Sequence, residues 1–369
     1  MKIGILTFHH TANYGAVLQS FALSTFIRSL GHDVEIIDYR PREAEEFYWN
    51  NMRFLKLFPP YRTPKFGLID FDALARYIKF WKFQIFFKRY LPLSKPCLKS
   101  KEELLTLKSQ YDLVICGSDQ IWSLNSYFRK FDTSFFLDFV DTETTQLASY
   151  AASFGSTYDL GERAHLICPL INRLNFISVR DLNSFNLIKQ FCGRDSHIVL
   201  DPTFLVAYDD LIVNPHLGEK YLVLYLQSSP SKIEEDAIGK IARQFGLKIV
   251  SAGHFSPIAD KCLINLDPRE WLGLLKNSTL VITDTFHGTI FSLIFKRQFM
   301  LLNIPEKSNK IDYLLDTFAL KGRHLKAEEF ISENVSIPVI NYDLIWEKIN
   351  TQIESSKCFI SQVLLKSQR

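Results

Sequence analysis

The chain has 369 residues, too many for one ordinary hydrophobic core, so its length points to two or three domains. With 47% hydrophobic and 22% charged residues it has the composition of a folded globular protein, and its 14% aromatic share includes 31 Phe. A net charge of +3 gives no electrostatic case for a nucleic-acid partner, so any anion binding has to come from local residues.

The opening MKIGILTF carries one charge and a short apolar run, followed by the polar stretch His9-His10-Thr11-Ala12-Asn13. It lacks a small-residue cleavage site and reads as a buried first strand, not a signal peptide. The pattern predicts a strand over 3–8, a turn at Asn13-Tyr14-Gly15, a helix over 16–30 closing on Gly31, and a strand over 34–39. This βαβ unit implies a parallel sheet. Residues 41–96 are less regular, aromatic and basic, and read as an insertion in the first domain.

Within that insertion, residues 71–90 interleave Arg76, Lys79, Lys82, Lys88 and Arg89 with Phe, Trp and Tyr. Two readings are open. One is an amphipathic helix touching a membrane surface or a lipid-linked acceptor. The other, which we favour, is an aromatic-rich helix packed on its domain with its lysines in water.

Further strands are predicted over 112–116 and 146–151, ending in Gly117-Ser118-Asp119-Gln120 and Ala152-Ser153-Phe154-Gly155, then over 176–180 and 198–200. After Asp201-Pro202-Thr203 the pattern restarts, with strands over 221–226, 247–251 and 280–283 alternating with helices over 233–245, 269–276 and 289–295. Pro215 and Gly218 mark a connection between the two series. The expected organisation is α/β, with two doubly wound Rossmann-like domains facing a cleft. The first domain spans 1–210, the second 211–340, and a helical tail at 341–369 can cross back. No run of about 18 apolar residues is present, so no membrane span is expected.

The six cysteines, Cys97, Cys116, Cys168, Cys192, Cys262 and Cys358, show no C-x-x-C spacing. They read as reduced, mostly packed thiols of a cytosolic protein, with no zinc site.

Four strand-end clusters can carry chemistry, because open α/β sheets place ligands outside the carboxyl ends of their strands. Asn13-Tyr14-Gly15-Ala16 precedes a helix whose backbone N–H groups can hold a phosphate or carboxylate, or it is simply a tight turn. In Gly117-Ser118-Asp119-Gln120, Asp119 can take a hydroxyl proton or hold a sugar hydroxyl, or it caps the next element. In Ser178-Val179-Arg180-Asp181, Arg180 offers a planar fork for an anion, or it pairs with a carboxylate of its own chain. The fourth is Thr283-Asp284-Thr285-Phe286-His287-Gly288, a strand, turn and helix. His287 there sits at a helix N-terminus, able to bind an anion or move a proton, or serving only the turn. Gly288 permits close approach of a ligand or of another backbone. No P-loop, dinucleotide fingerprint, nucleophile elbow or metal-ligand triplet is present.

In order and placement these segments, with Asn13 to Gln19, Asp112 to Trp122, Tyr150 to Gly155 and Asp201-Pro202-Thr203, resemble the polysaccharide pyruvyl transferase family from Ile3 to about Arg323. The resemblance implies a glycosyltransferase-B-like fold. It implies transfer of the enolpyruvyl unit of phosphoenolpyruvate onto two sugar hydroxyls, leaving a pyruvate ketal and phosphate. His287 is then the proton donor or phosphate partner, Arg180 the anion clamp, and Asp119 the residue that orients or deprotonates the acceptor. Asn13 and Gly15 line the cleft floor, and Ser118, Thr285, Gly288 and Lys310 complete the substrate contacts. No metal and no cofactor is expected beyond phosphoenolpyruvate as donor. The acceptor is a sugar, free or on a lipid or nucleotide carrier. The location is cytoplasmic, with room for peripheral contact at the inner face of the membrane.

One position departs from the family pattern. Several members carry an Arg two residues before the matching His, where this chain has Thr285. The missing cation would have to come from Lys296, Arg297, Lys307 or Lys310. Two other readings share the fold: a glycosyltransferase using a nucleotide sugar, and a non-catalytic carbohydrate-binding relative.

Overall fold

The computed structural model describes residues 1–49, 71–125, 131–302, 308–320, 322–325 and 337–368. The chain divides into two compact units, one of Met1–Asn50, Phe87–Ala207 and Glu347–Arg369, the other of Asn51–Phe86 and Tyr208–Trp346. The insertion proposed at 41–96 is therefore shared: its middle part belongs to the second unit.

The first unit opens with β1 (Lys2–Leu6), α1 (Tyr14–Ser29), β2 (Asp33–Ile36) and α2 (Arg42–Trp49). The next helix, α3 (Phe71–Tyr90), lies in the second unit up to Phe86 and ends in the first, which goes on with α4 (Lys101–Leu104). The first unit continues through β3 (Leu113–Asp119), β4 (Gln146–Ala152), α5 (Ala164–Asn172), β5 (Ser178–Val179), α6 (Leu182–Cys192) and β6 (His197–Ile198). The six strands order as β2-β1-β3-β4-β5-β6, all parallel, with Ile3 opposite both Val34 and Leu113. The Val, Ile and Leu residues of β1 to β5 are buried, as a sheet covered on both faces requires, and Ile198 of the edge strand β6 is half-buried. The α1 helix starts where Asn13 accepts hydrogen bonds from the N–H groups of Gly15 (3.0 Å) and Ala16 (3.3 Å), and it ends before Gly31 at φ +87°.

The second unit holds β7 (Tyr221–Tyr225), α7 (Lys232–Phe245), β8 (Lys248–Ala252), β9 (Lys261–Leu263), α8 (Pro268–Lys276), β10 (Leu280–Thr283), α9 (Phe286–Ile294), β11 (Gln298–Leu301) and α10 (Ser308–Thr317). Its five parallel strands order as β11-β10-β7-β8-β9. Capping boxes start α7 at Ser231 with Glu234 and α8 at Asp267 with Glu270. The last helix, α11 (Tyr342–Ser367), packs on the first unit: the Leu200 N–H donates to Ser356 Oγ at 2.9 Å, and Phe359 lies 5.2 Å from the His197 ring.

Two expectations are corrected. Cys168 and Cys192 form a disulfide between α5 and α6, leaving Cys97, Cys116, Cys262 and Cys358 as free thiols. The pairing joins residues 24 apart in the chain. The second correction concerns α3. Its lysines are not all in water: Lys79 is buried, and Lys82 Nζ bonds both carboxylate oxygens of Glu270 at 2.9 and 2.7 Å.

Beyond β2 the first unit encloses a charged cluster. Asp38 Oδ1 faces His9 Nε2 at 2.9 Å, and Arg40 grips both carboxylate oxygens at 2.6 and 2.9 Å. Burial alone would raise the Asp38 pKa, but the hydrogen bonds from His9 and Arg40 hold it down to about 2. A depressed carboxylate pKa stabilises the fold above the unfolded value of about 3.9 and loses that contribution as pH falls towards 2. We predict that Asp38→Asn is less stable than the parent at pH 7 by on the order of 2 kcal/mol. In urea unfolding the gap should close as pH drops from 4 towards 2; a gap independent of pH would show that the cluster does not set acid stability.

Candidate functional site

A parallel sheet opens a crevice where the strand order reverses, because the connections on either side leave in opposite directions. In the first unit that point lies between β1 and β3, and in the second between β7 and β10. Each switch point carries expected site residues.

At the first, β3 runs three residues further than expected, through Gly117, Ser118 and Asp119. Ser118 and Asp119 both adopt positive φ, +28° and +70°, a conformation that costs a side-chain-bearing residue on the order of 1 kcal/mol or more. The turned backbone presents Asp119 Oδ1 to Arg180 Nη2 at 2.9 Å and to its neighbour's Gln120 N–H at 2.8 Å. Arg180 Nη1 donates to Asp201 Oδ2 at 2.9 Å, and Ser118 Oγ donates to the same oxygen at 3.0 Å. Thr203 donates its N–H and hydroxyl to the other Asp201 oxygen. The Arg180 and Asp201 side chains are enclosed, whereas that of Asp119 is 16% exposed. Asp119, Ser118 and Arg180 are thus brought together, and the Arg180 fork spans two carboxylates. These carboxylates strengthen the guanidinium's hold on its proton against the opposing effect of burial.

Across the switch point, Thr7 Oγ1 donates to the Ser118 carbonyl at 3.2 Å. Gln19, in α1, donates to Thr7 Oγ1 and to the Phe8 and Ala16 carbonyls, tying the loop after β1 to the Asn13 turn. Asn13 and Gly15 are occupied in the cap of α1. His9 is a buried member of the loop after β1 that sequence reading passed over. Its signal was two adjacent histidines following an apolar strand.

At the second switch point, α9 begins three residues earlier than expected, so His287 lies in its first turn and Thr285 is the N-cap. Thr283 Oγ1 donates to the Tyr225 carbonyl at 2.7 Å and lies 2.9 Å from Thr285 Oγ1. A hydroxyl has one proton, so Thr285 must donate to Thr283 while accepting the Gly288 N–H at 2.9 Å. Position 285 therefore holds a capping hydroxyl and no cation. Asp284, buried, accepts the N–H groups of Gln227 (2.8 Å) and Ser228 (2.9 Å), fixing the loop after β7 against the His287 turn. His287 is buried, its ring 5.5 Å from Phe286, over which Lys310 Nζ stands at 5.7 Å.

The substitute cations are sorted by position. Lys296 stands over the Trp346 ring at 4.5 Å. Arg297 donates to the Phe295 and Ser278 carbonyls, at the amino end of β10 and β11 and so at the opposite edge of the sheet from His287. Lys307 lies outside the described residues. Lys310 remains near the turn. A further cation was missed: Lys79 of α3 donates to the Gly253 carbonyl at 3.3 Å, in the loop after β8 and hence at the same edge as His287. Burial pushes its pKa down to about 8. His254, next in that loop, feels Lys79 and Asp284 with opposite sign, although burial has the largest effect and lowers its pKa.

A β-carbon on Gly288 would press on Thr283 Oγ1 and lie 2.6 Å from Thr285 Oγ1. We predict that Gly288→Ala destabilises the protein by roughly 1–3 kcal/mol, read from urea unfolding. An unchanged midpoint would show that the two threonines are free to turn aside.

Known structures with this architecture include the UDP-GlcNAc 2-epimerase of Neisseria meningitidis, at 13% identity and TM-score 0.50, covering 99% of this chain and 100% of that one. The Streptomyces sp. SF2575 glycosyltransferase SsfS6, complexed with thymidine diphosphate, matches at 11% identity and TM-score 0.50, covering 98% and 99%. At such identity the likeness concerns the glycosyltransferase-B-like fold alone. No curated protein sequence matches the chain. The profile of the polysaccharide pyruvyl transferases matches residues 13–305, which take in the Asn13, Asp119, Arg180 and His287 segments. The chain belongs to the polysaccharide pyruvyl transferase family and is a transferase.

Proposed function

We propose that the chain moves the enolpyruvyl unit of phosphoenolpyruvate onto two hydroxyls of a saccharide in surface polysaccharide synthesis. The acceptor is a sugar on a nucleotide or lipid carrier, met in the cytoplasm or at the inner face of the membrane. The observation that supports this reading is the His287 turn, which falls within the residues matched by the family profile and lies at the switch point of the second sheet.

In the reaction the methylene carbon takes a proton and becomes a methyl group. The oxygen of one hydroxyl adds to C2, the C2–O bond to phosphate breaks, and the second hydroxyl closes the ketal. Of the two hydroxyl protons, one balances the proton gained by the methylene and the other leaves with phosphate. His287 is assigned as proton donor or as partner of the departing phosphate. Asp119 is assigned to the acceptor hydroxyl, with Arg180 a positioning residue that acts through it. Lys79 and Lys310 supply the cationic charge for the donor that Thr285 does not, while Thr285 and Gly288 shape the turn.

Phosphate release from phosphoenolpyruvate in the presence of acceptor tests the assignment. We predict that His287→Ala lowers turnover about 10²-fold or more with its thermal transition retained. Wild-type turnover would remove His287 from the chemistry. A second prediction concerns pH. Lys79 is cationic below about 8 and loses its charge above it, so the donor KM should rise as pH passes upward through about 8. Lys79→Arg should flatten that rise, whereas an unchanged profile would exclude Lys79 from donor binding.

A further inference from the structure

The α3 helix is arranged inside out. Lys79 is buried, and Lys82 is drawn to Glu270 at the amino end of α8. On the solvent side stand Leu74 (37% exposed), Ile78 (36%), Trp81 (50%) and Ile85 (59%). Their spacing of four, three and four residues places them on one stripe along the helix. The next position on the stripe is Lys88, and both Lys88 and its neighbour Arg89 are exposed. The opposite face is also apolar, with Ala73, Phe83, Phe86 and Phe87 buried, so packing against the protein consumes only one of two apolar faces. Surface helices ordinarily show water a polar face; a continuous exposed stripe of aliphatic and indole side chains marks a contact surface.

We propose that this outer face of α3 lies on an anionic lipid bilayer, with Leu74, Ile78, Trp81 and Ile85 entering the interface and Lys88 and Arg89 meeting lipid phosphates. The choice of occupant follows from charge. The exposed ionic residues along the stripe are cations, and the sequence of α3 holds a single acidic residue, Asp72. A second copy of the same face would bring cations without anions to neutralise them, whereas an anionic bilayer supplies the counter-charge. Trp suits the headgroup level, where an apolar body and a polar N–H are both accommodated. The contact is peripheral, since among the described residues no helix is long and apolar enough to cross a membrane. It does not depend on the donor assignment.

The full-length protein is mixed with sedimentable vesicles of phosphatidylcholine alone, or with phosphatidylglycerol added. We expect partition onto the phosphatidylglycerol vesicles and far less onto the neutral ones. Replacing both Lys88 and Arg89 by Gln should weaken that partition about 30-fold, two charges' worth. Trp81→Glu with Ile85→Glu should abolish it while the thermal transition stays, because both side chains are exposed. Failure to partition, equal partition onto both vesicles, or partition indifferent to Trp81→Glu with Ile85→Glu would overturn the proposal. So would a concentration-dependent dimer, lost in that double variant, in protein that ignores vesicles.

Discussion

The grouping of the candidate residues depends on one constraint: in a parallel sheet all carboxyl ends fall on one edge, and a reversal of strand order opens a crevice there. Both sheets obey it. In the first, the loops after β1 and β3 meet at the reversal, joined by the Thr7 hydroxyl on the Ser118 carbonyl. In the second, the loops after β7 and β10 meet there, joined by Asp284. Residues far apart in the chain become neighbours because the topology leaves them no other edge.

The two reversals are built from different materials. The first is ionic: a guanidinium holds two carboxylates, one enclosed and one partly exposed, on a backbone turned to positive φ. Removing one partner would leave a buried charge uncompensated, so the cluster holds its geometry firmly. Arg180 then determines where Asp119 points. The second is a relay of hydrogen bonds, in which Thr285 accepts from the Gly288 N–H and donates to Thr283, which donates to the Tyr225 carbonyl. An arginine at position 285 could not take part in that relay. Another element, α3, brings an ammonium group to the same edge.

Local patterns were legible in the sequence and distant pairings were not. The apolar run ending at Thr283 and the turn after it located β10 and the start of a helix beyond it, since strand and helix periodicities differ over a few residues. The start of α9 was misjudged by three residues because a threonine cap is recognised only when its acceptor and donor are both known. The partners of Arg180 lie 61 and 21 residues away, and the carbonyl bound by Lys79 lies 174 residues away, separations over which no pattern in the chain signals contact. The Cys168 to Cys192 bridge was missed for the same reason. The helix over 71–90 was found, but its orientation was not, because a helix apolar on both faces does not reveal which face is buried.

The most direct test of the account is thermal unfolding of the wild-type protein and of Lys79→Met, each with and without saturating phosphoenolpyruvate. Ligand at a hundred times its dissociation constant stabilises the native state by about 2.7 kcal/mol, a clear upward shift. That shift is expected in the wild type, and its loss or marked reduction in Lys79→Met. No shift in the wild type, with a shift from a nucleotide sugar instead, would contradict phosphoenolpyruvate as donor.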